Sequence, residues 1–190
     1  MAKRLFIIHG WGGSPKELLH ENLKKRFSKK GFEVFVLEMP NTNNPKIEEW
    51  VQYLNKIVGK SNEDDYFIGH SIGCQAIMRY VESLNENKKI RGCIFIAGWF
   101  KLANMESKEE EKIAEPWIKN KINLAKIRKM IKEIIVYLSS NEYYGFVEEN
   151  SKIFHDKLGA KVIIEKDMGH FTDEEGLEKI AKFVDKLSFQ

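Results

Sequence analysis

The chain has 190 residues, 31 lysines and arginines against 28 aspartates and glutamates, and a formal net charge of +3. This length suits one domain, residues 1–190, and a small charge surplus spread over so many charged residues argues against a nucleic-acid-binding protein. The apolar segment Leu5–Ile8 is too short for a signal peptide or a membrane span, so we expect no membrane partner.

Two cysteines are present, Cys74 and Cys93, each in an apolar context and without a CxxC motif. The pair predicts reduced thiols in a cytoplasmic protein rather than a disulfide framework or a zinc site. No set of His, Asp, Glu or Cys residues has the spacing of metal ligands along the sequence. We therefore expect neither a metal nor an organic cofactor.

Six short apolar runs, rich in β-branched and aromatic residues, recur along the chain. Continuous apolarity, rather than alternation with polar residues, is typical of strands that helices cover on both faces of a sheet. The predicted strands are Leu5–Ile8, Val34–Leu37, Tyr66–Ile68, Ile94–Ala97, Ile134–Leu138 and Val162–Ile164.

Amphipathic segments lie between these runs, with their apolar residues at helical spacing. Thr172 and Glu175 have the spacing of a capping box at the start of the last helix. The sequence therefore predicts an α/β fold in three layers, a six-stranded, mostly parallel sheet with helices on both faces. The helical stripes begin near Leu18, Ile47, Ala76 and Leu177.

The first predicted strand leads into a glycine-rich turn, His9–Ser14. A competing interpretation is the dinucleotide fingerprint Gly-x-Gly-x-x-Gly, with Glu38 after the second strand. It fails at Pro15, which stands where the third glycine is required for helix–strand packing. The turn is better suited to bring a backbone N–H, that of Trp11, to an oxyanion, and we expect His9 to be a structural hydrogen-bonding residue.

The third predicted strand runs into Gly69-His70-Ser71-Ile72-Gly73, a Gly-x-Ser-x-Gly motif that an amphipathic helix follows. A plain Gly/Ser turn is the alternative, but this order is typical of a nucleophile elbow, a turn so tight that glycines must flank the serine. Ser71 is therefore the predicted nucleophile. The N–H groups of Ile72 and Trp11 form the predicted oxyanion hole.

The segment 101–130 contains no predicted strand and many Lys and Glu residues. Its charged run, Glu106–Lys112, is most simply a solvated helix face or loop. The functional alternative is a small cap insertion over the carboxyl edge of the sheet, with Trp117 pointing inward. Trp99, Phe100 and Trp117 are candidate walls of an apolar acyl pocket, although core or cap packing would explain these aromatic residues equally well.

A serine nucleophile needs a base, and the chain offers five histidines. His20 and His155 lie in amphipathic helical patterns and are predicted to be surface residues, whereas His9 and His70 belong to the two turns. His170 follows the last predicted strand, at the edge of the sheet where catalytic groups collect in open α/β folds. His170 is therefore the predicted base.

The base in turn needs an acid, which should follow the fifth strand. No aspartate lies in that loop, and Glu142 is the carboxylate at its head. Glutamate serves in the order Ser…Asp/Glu…His if the loop shifts to absorb the extra methylene. Glu142 is the predicted acid, a simply exposed Glu142 is the alternative, and Asp167, three residues before His170, is the fallback.

These motifs resemble those of the YdeN-like serine hydrolases, compact α/β-hydrolases related to retinoblastoma-binding protein 9. The resemblance implies hydrolysis of esters or related acyl compounds, with Ser71 as nucleophile and His170 as base. The family's acid is an aspartate, commonly within Asp-Pro-Tyr-Val-Pro, where this chain has Glu142. The likeness runs from about Lys3 to Leu187 and rests on Phe6–Trp11, Met39–Asn41, Trp50, Gly69–Cys74, Ala97–Phe100 and Gly169–Phe171.

We therefore predict strand order 2-1-3-4-5-6 and a carboxylesterase-like serine hydrolase that forms an acyl-enzyme with a small-molecule substrate. The alternative is a binding or scaffold protein on a hydrolase fold, weakened as an enzyme by its altered acid loop. A chain of 190 residues has room for a small cap but not for a large cap domain. The predicted site is thus relatively open and suited to small or exposed acyl groups.

Overall fold

The computed structural model describes residues 3–187, so the first two and the last three residues of the predicted domain lie outside the described range. Six strands form one sheet in the order β2-β1-β3-β4-β5-β6, and every neighbouring pair is parallel. The predicted strand order and fold class are confirmed. The strands are β1 (Arg4–Ile8), β2 (Glu33–Leu37), β3 (Tyr66–His70), β4 (Ile90–Ile96), β5 (Ile131–Ser139) and β6 (Lys161–Glu165).

The described part of the chain also holds seven helices, which cover both faces of the sheet. None of them combines the length and the apolar character that a membrane crossing requires. They are α1 (Leu18–Lys29), α2 (Ile47–Val58), α3 (Ile72–Ser83), α4 (Lys108–Lys119), α5 (Leu124–Met130), α6 (Val147–Leu158) and α7 (Glu174–Lys186).

The core consists of two apolar layers, one on each face of the sheet. Successive strand residues point to opposite faces, so Phe6 and Ile8 join one layer while Leu5 and Ile7 join the other. Helices α1 and α7 cover the layer of Leu5 and Ile7, and α2 to α6 contribute to the layer of Phe6. A strand buried on both faces needs apolar residues at every position, which is the pattern that the sequence displays.

The parallel register brings the carboxyl ends of the strands to one edge of the sheet. Ile8, for example, lies level with Leu37 of β2 and Gly69 of β3. The loops that follow β1, β3, β5 and β6 therefore leave the sheet from the same edge. Open α/β sheets bind their ligands outside this edge.

The predicted capping box at the last helix is wrong by one residue. Helix α7 begins at Glu174, and the carboxylate of Asp173 caps it by accepting the N–H of Gly176 over 2.7 Å. The turn before it places Phe171 at a positive φ of 58°. The chain therefore enters the helix from Asp173, and Thr172 is left on the wall of a cavity.

Candidate active site

Ser71 occupies a strained turn between β3 and α3. Its φ of 52° and ψ of −121° lie outside the regions that ordinary residues populate, and its N–H donates to the carbonyl of Ile96 over 2.9 Å. Glycines flank it because backbone passes close by. A Cβ on Gly73 would lie 2.5 Å from the carbonyl oxygen of Ile8, and one on Gly69 would lie 2.7 Å from the backbone nitrogen of Cys74.

His170 and Glu142 meet across the loops that follow β6 and β5. The His170 Nδ1–H donates to Glu142 Oε2 over 2.8 Å, and both side chains are largely buried. The fallback carboxylate lies elsewhere. Asp167 is exposed, and its Oδ1 accepts from the hydroxyl of Ser140 over 3.3 Å. The structure thus brings Glu142, not Asp167, to the imidazole.

A polar network that the sequence analysis did not single out ties these two loops together. Ser139 Oγ accepts the N–H of Met168 over 2.8 Å and donates to Asn141 Oδ1 over 2.7 Å. The same Asn141 oxygen accepts the N–H of Gly169 over 2.7 Å. The hydrogen bonds therefore fix the backbone just before His170 against the loop that carries Glu142. The sequence signal for this network is the run of three polar residues, Ser139-Ser140-Asn141, that begins at the last residue of β5.

Three further histidines surround the turn of Ser71. The Nε2–H of His70 donates to the carbonyl of His170 over 2.9 Å, since a carbonyl accepts only. His9 donates from Nδ1 to Gly10 O and accepts the N–H of Met39 at Nε2, which confirms its structural role. His20 is fully buried, so the prediction of a surface residue is wrong there, while His155 is exposed as predicted.

Burial determines the protonation of these histidines. Desolvation, and after it the charge of a protonated His170, lower the pKa of His70 to about 3. Desolvation also lowers the pKa values of His9 and His20, although the charge of Glu17 opposes the shift in both. His70, His9 and His20 are therefore neutral at pH 7.

One group of side chains in the described range has the types and proximity to hold a metal ion. Glu17, His20 and His70 each place one ligand atom within 4.8 Å of the others. The Nε2 of His20 and the Nδ1 of His70 are buried without a hydrogen-bond partner. Sequence spacing did not reveal this group because α1 and β3 meet only in the fold. Imidazole and carboxylate ligands of this kind suit zinc and similar divalent ions.

A cavity of about 330 Å³ lies over Ser71. Trp99 lines it as predicted, together with Trp11 of the glycine-rich turn. The segment 101–130 contributes Leu102, Met105 and Glu110 to the wall. The other lining residues are Gly10, Gly13, Glu17, His70, Ser71, Ile72, Tyr143, Tyr144, His170 and Thr172.

The other two predicted pocket residues lie elsewhere. Trp117 is buried in the core, where its ring meets Trp50 edge-on at 5.8 Å and its Nε1–H donates to the carbonyl of Pro45. Phe100 packs on Phe154, with the ring centroids 4.7 Å apart. Core packing, the alternative that the sequence left open, thus explains both rings.

The comparisons with known proteins agree with this geometry. The family model described as serine hydrolase matches residues 5–188. The chain is 28% identical to the Bacillus subtilis (strain 168) protein YdeN, which is named as a hydrolase, over 99% of this chain and 96% of YdeN. The crystal structure of the B. subtilis ydeN gene product has a TM-score of 0.83 at 26% identity, covering 97% of each chain. The predicted YdeN-like resemblance is confirmed.

More distant solved structures share the fold alone. Est1E from Butyrivibrio proteoclasticus, in its structure with ferulic acid, has a TM-score of 0.76 at 13% identity, covering 97% of this chain and 87% of Est1E. The B. subtilis carboxylesterase CesB has a TM-score of 0.67 at 11% identity, covering 96% of this chain and 82% of CesB.

Proposed function

The chain belongs to the serine hydrolase family, and from that premise we propose that it cleaves small carboxylic esters or related acyl compounds through a covalent intermediate on Ser71. One observation carries the proposal, the hydrogen bond of 2.8 Å between His170 Nδ1 and Glu142 Oε2. Because Nδ1 carries the hydrogen of this bond, the neutral ring keeps its lone pair at Nε2, the nitrogen that a serine hydroxyl needs. The Glu142 contact is also why we favour an enzyme over a scaffold protein.

The backbone around Ser71 supplies the electrostatic part of the proposal. Ile72 is the first residue of α3, so its N–H points out of the helix end beside Ser71. In the facing turn, the amides of Gly12 and Gly13 donate to Thr42 and Gly10. We assign the oxyanion hole to the N–H groups of Ile72 and Trp11, which would stabilise the tetrahedral intermediate by about 3 kcal/mol each.

The proposed reaction has two steps, acylation of Ser71 and hydrolysis of the acyl-enzyme. His170 Nε2 takes the Ser71 proton as Oγ attacks the acyl carbon, and the same proton passes to the leaving group when its bond to that carbon breaks. A water molecule then attacks the acyl-enzyme, losing a proton to His170, and Ser71 regains its hydrogen as the acid departs. Glu142 orients the imidazole and stabilises its cationic form throughout.

The surroundings of the site support a small, fairly open substrate pocket. We propose that residues 101–130 act as a partial cap, because three of their side chains line the cavity over Ser71. The two free cysteines, Cys74 and Cys93, are buried, which favours a reducing compartment such as the cytoplasm.

Covalent labelling tests the proposal. A fluorophosphonate probe should label the native chain, and a panel of p-nitrophenyl esters of graded acyl length should be hydrolysed. Both signals should vanish in Ser71→Ala, with circular dichroism showing that the variant is folded. Ser140→Ala, at an exposed serine near the site, is the matched control and should label normally. Labelling that persists in Ser71→Ala contradicts the assignment.

A further inference from the structure

We propose that the substrate of this site carries a cationic group, a primary or quaternary ammonium, which the carboxylates of Glu17 and Glu110 recognise. The inference rests on the proposed function, because both carboxylates line the cavity over Ser71. It narrows the substrate class from acyl compounds in general to acyl compounds with a positive charge.

The charge of the cavity wall is the first observation. Lysine and arginine supply 31 of the 190 residues of the chain, yet none lies among the described residues that line this cavity. Two glutamates, Glu17 and Glu110, do line it. A protein with a net charge of +3 therefore has a negative active-site cavity.

Glu17 is held in place without a cationic partner. Its Oε1 accepts the N–H of Ser14 over 2.8 Å, and its Oε2 lies 3.4 Å from His20 Nδ1. The Nδ1–H of His20 donates to the carbonyl of Ser14 over 3.1 Å, and its Nε2 is buried without a hydrogen-bond partner, so the ring offers no satisfied site for a second proton that would balance the carboxylate. The fixed position costs little entropy when a ligand binds, since the side chain is already ordered.

Glu110 reaches the cavity from the cap. It lies in the first turn of α4, where its Oε2 accepts the N–H of Glu106 over 2.8 Å. The lysines of the same helix line a second groove rather than this cavity, so α4 presents a carboxylate to the cavity and its ammonium groups to that groove. Those lysines are Lys108, Lys112 and Lys119.

The aromatic residues that line the same cavity favour the same ligand. The cavity wall includes the rings of Trp11, Trp99, Tyr143 and Tyr144. Aromatic faces attract ammonium groups, and indoles do so most strongly. Burial contributes most to raising the pKa of Tyr144, the neighbouring Tyr143 contributes next, and the charges of Glu110 and Glu106 add smaller effects in the same direction. The field of those carboxylates therefore reaches the aromatic wall.

Desolvation of the two carboxylates disfavours anionic and neutral substrates relative to cationic ones. An anionic substrate would meet two carboxylates with no counter-charge on the wall. A neutral substrate would displace water from both carboxylates and leave them without a compensating partner, which is costly for a charged group. A cation compensates both carboxylates. A primary ammonium donates charge-assisted hydrogen bonds, which are about twice as strong as neutral ones, whereas a quaternary ammonium has no N–H and is attracted through its charge alone.

Two pairs of isosteric substrates test the inference, with EDTA present so that no divalent ion at Glu17 screens it. One pair carries the charge on the acyl half: the p-nitrophenyl esters of 4-(trimethylammonio)butanoate and of 5,5-dimethylhexanoate. The other carries it on the leaving group: acetylthiocholine and S-(3,3-dimethylbutyl) thioacetate. In at least one pair, kcat/KM should favour the cation by about ten-fold or more, and added salt should reduce the preference.

Three variants attribute the preference to its residues. Glu17→Gln and Glu110→Gln should each reduce the ratio of kcat/KM for the cation to kcat/KM for its neutral partner several-fold. Glu111→Gln, which alters the neighbouring groove, should keep it. Equal kcat/KM values within both pairs, or a preference that survives both variants, overturns the inference. In either case, labelling of Ser71 and hydrolysis of neutral esters leave the proposed function standing, whereas their absence overturns both.

Discussion

His70 holds His170 through a hydrogen bond of 2.9 Å, from its Nε2–H to the backbone carbonyl of His170. The residue just before the proposed nucleophile thus fixes the loop that carries the proposed base. Their rings also meet edge-on, with centroids 4.9 Å apart. The turn after β3 and the turn after β6 are therefore positioned as one unit, although 100 residues separate them.

Removing this contact should reduce turnover without removing any group of the proposed mechanism. In His70→Leu, we expect kcat for a neutral ester to fall about 10- to 100-fold, because the imidazole of His170 loses its alignment, while KM changes little. His70→Gln, which restores an N–H donor, should recover part of the loss. His155→Leu, at an exposed histidine, is the matched control. A wild-type kcat in His70→Leu contradicts the positioning role.

Glu142 should matter through its charge as well as its hydrogen bond. Glu142→Gln keeps the size of the side chain but cannot stabilise the imidazolium, so kcat should fall about 10²- to 10⁴-fold. Asp167→Asn should have little effect, because that carboxylate is exposed and bonds to Ser140. Steady-state hydrolysis of p-nitrophenyl acetate measures both. If Asp167→Asn lowered kcat more than Glu142→Gln did, Asp167 rather than Glu142 would be the acid.

Gly73, two residues after the proposed nucleophile, should be required for the stability of the fold. In Gly73→Ala, the new Cβ would lie 2.5 Å from the carbonyl oxygen of Ile8, so backbone must shift and we expect a loss of about 3 kcal/mol or more in the free energy of unfolding. Gly92→Ala is the control, since its nearest neighbour, 3.1 Å away, is the ring of Tyr66, a side chain that can move. Urea unfolding followed by circular dichroism should rank Gly73→Ala as clearly the less stable.

Acid should destabilise the fold through its buried histidines. The pKa of His70 is about 3 in the folded chain but about 6.5 when unfolded, so between these values the unfolded state binds the extra proton. The stability that the neutral His70 contributes is fully present above about pH 6.5 and is lost as the pH falls towards 3. The free energy of unfolding should drop by up to about 1.4 kcal/mol per pH unit for this residue.

Urea titrations between pH 7 and pH 4 measure this slope. His70→Asn should flatten it, whereas His155→Asn should keep the slope of the native chain, because His155 is exposed. Carboxylates add their own acid dependence, which both variants share. Equal slopes in His70→Asn and the native chain would mean that folding does not lower the pKa of His70.

The sequence predicted the features that depend on local pattern. Continuous apolar runs identified six strands. The Gly-x-Ser-x-Gly motif located Ser71, because a tight strand-to-helix turn requires glycine at both flanking positions. The position of Glu142 followed from chain order along the sheet. These inferences need only the period of the strands and the rule that catalytic loops share one edge.

The features that it missed depend on how elements cross in space. His20 has the spacing of a helix surface, yet α1 buries it against the rings of His9 and His70. Trp117 belongs to a charged helix, yet it packs against Trp50 of α2. In both cases the sequence shows the face of a helix but not the partner that covers it.

The three groups of the proposed mechanism sit on loops that leave β3, β5 and β6 in turn. A growing chain emerges from the ribosome in the same order, so it presents Ser71 long before it can present His170. Until β6 has docked beside β5, the loop that carries His170 cannot be in place at the site. Hydrolysis of an ester by this chain therefore requires that β6 and the loop of His170 have been synthesised, and nascent chains stalled before His170 leaves the ribosome should not hydrolyse an ester substrate.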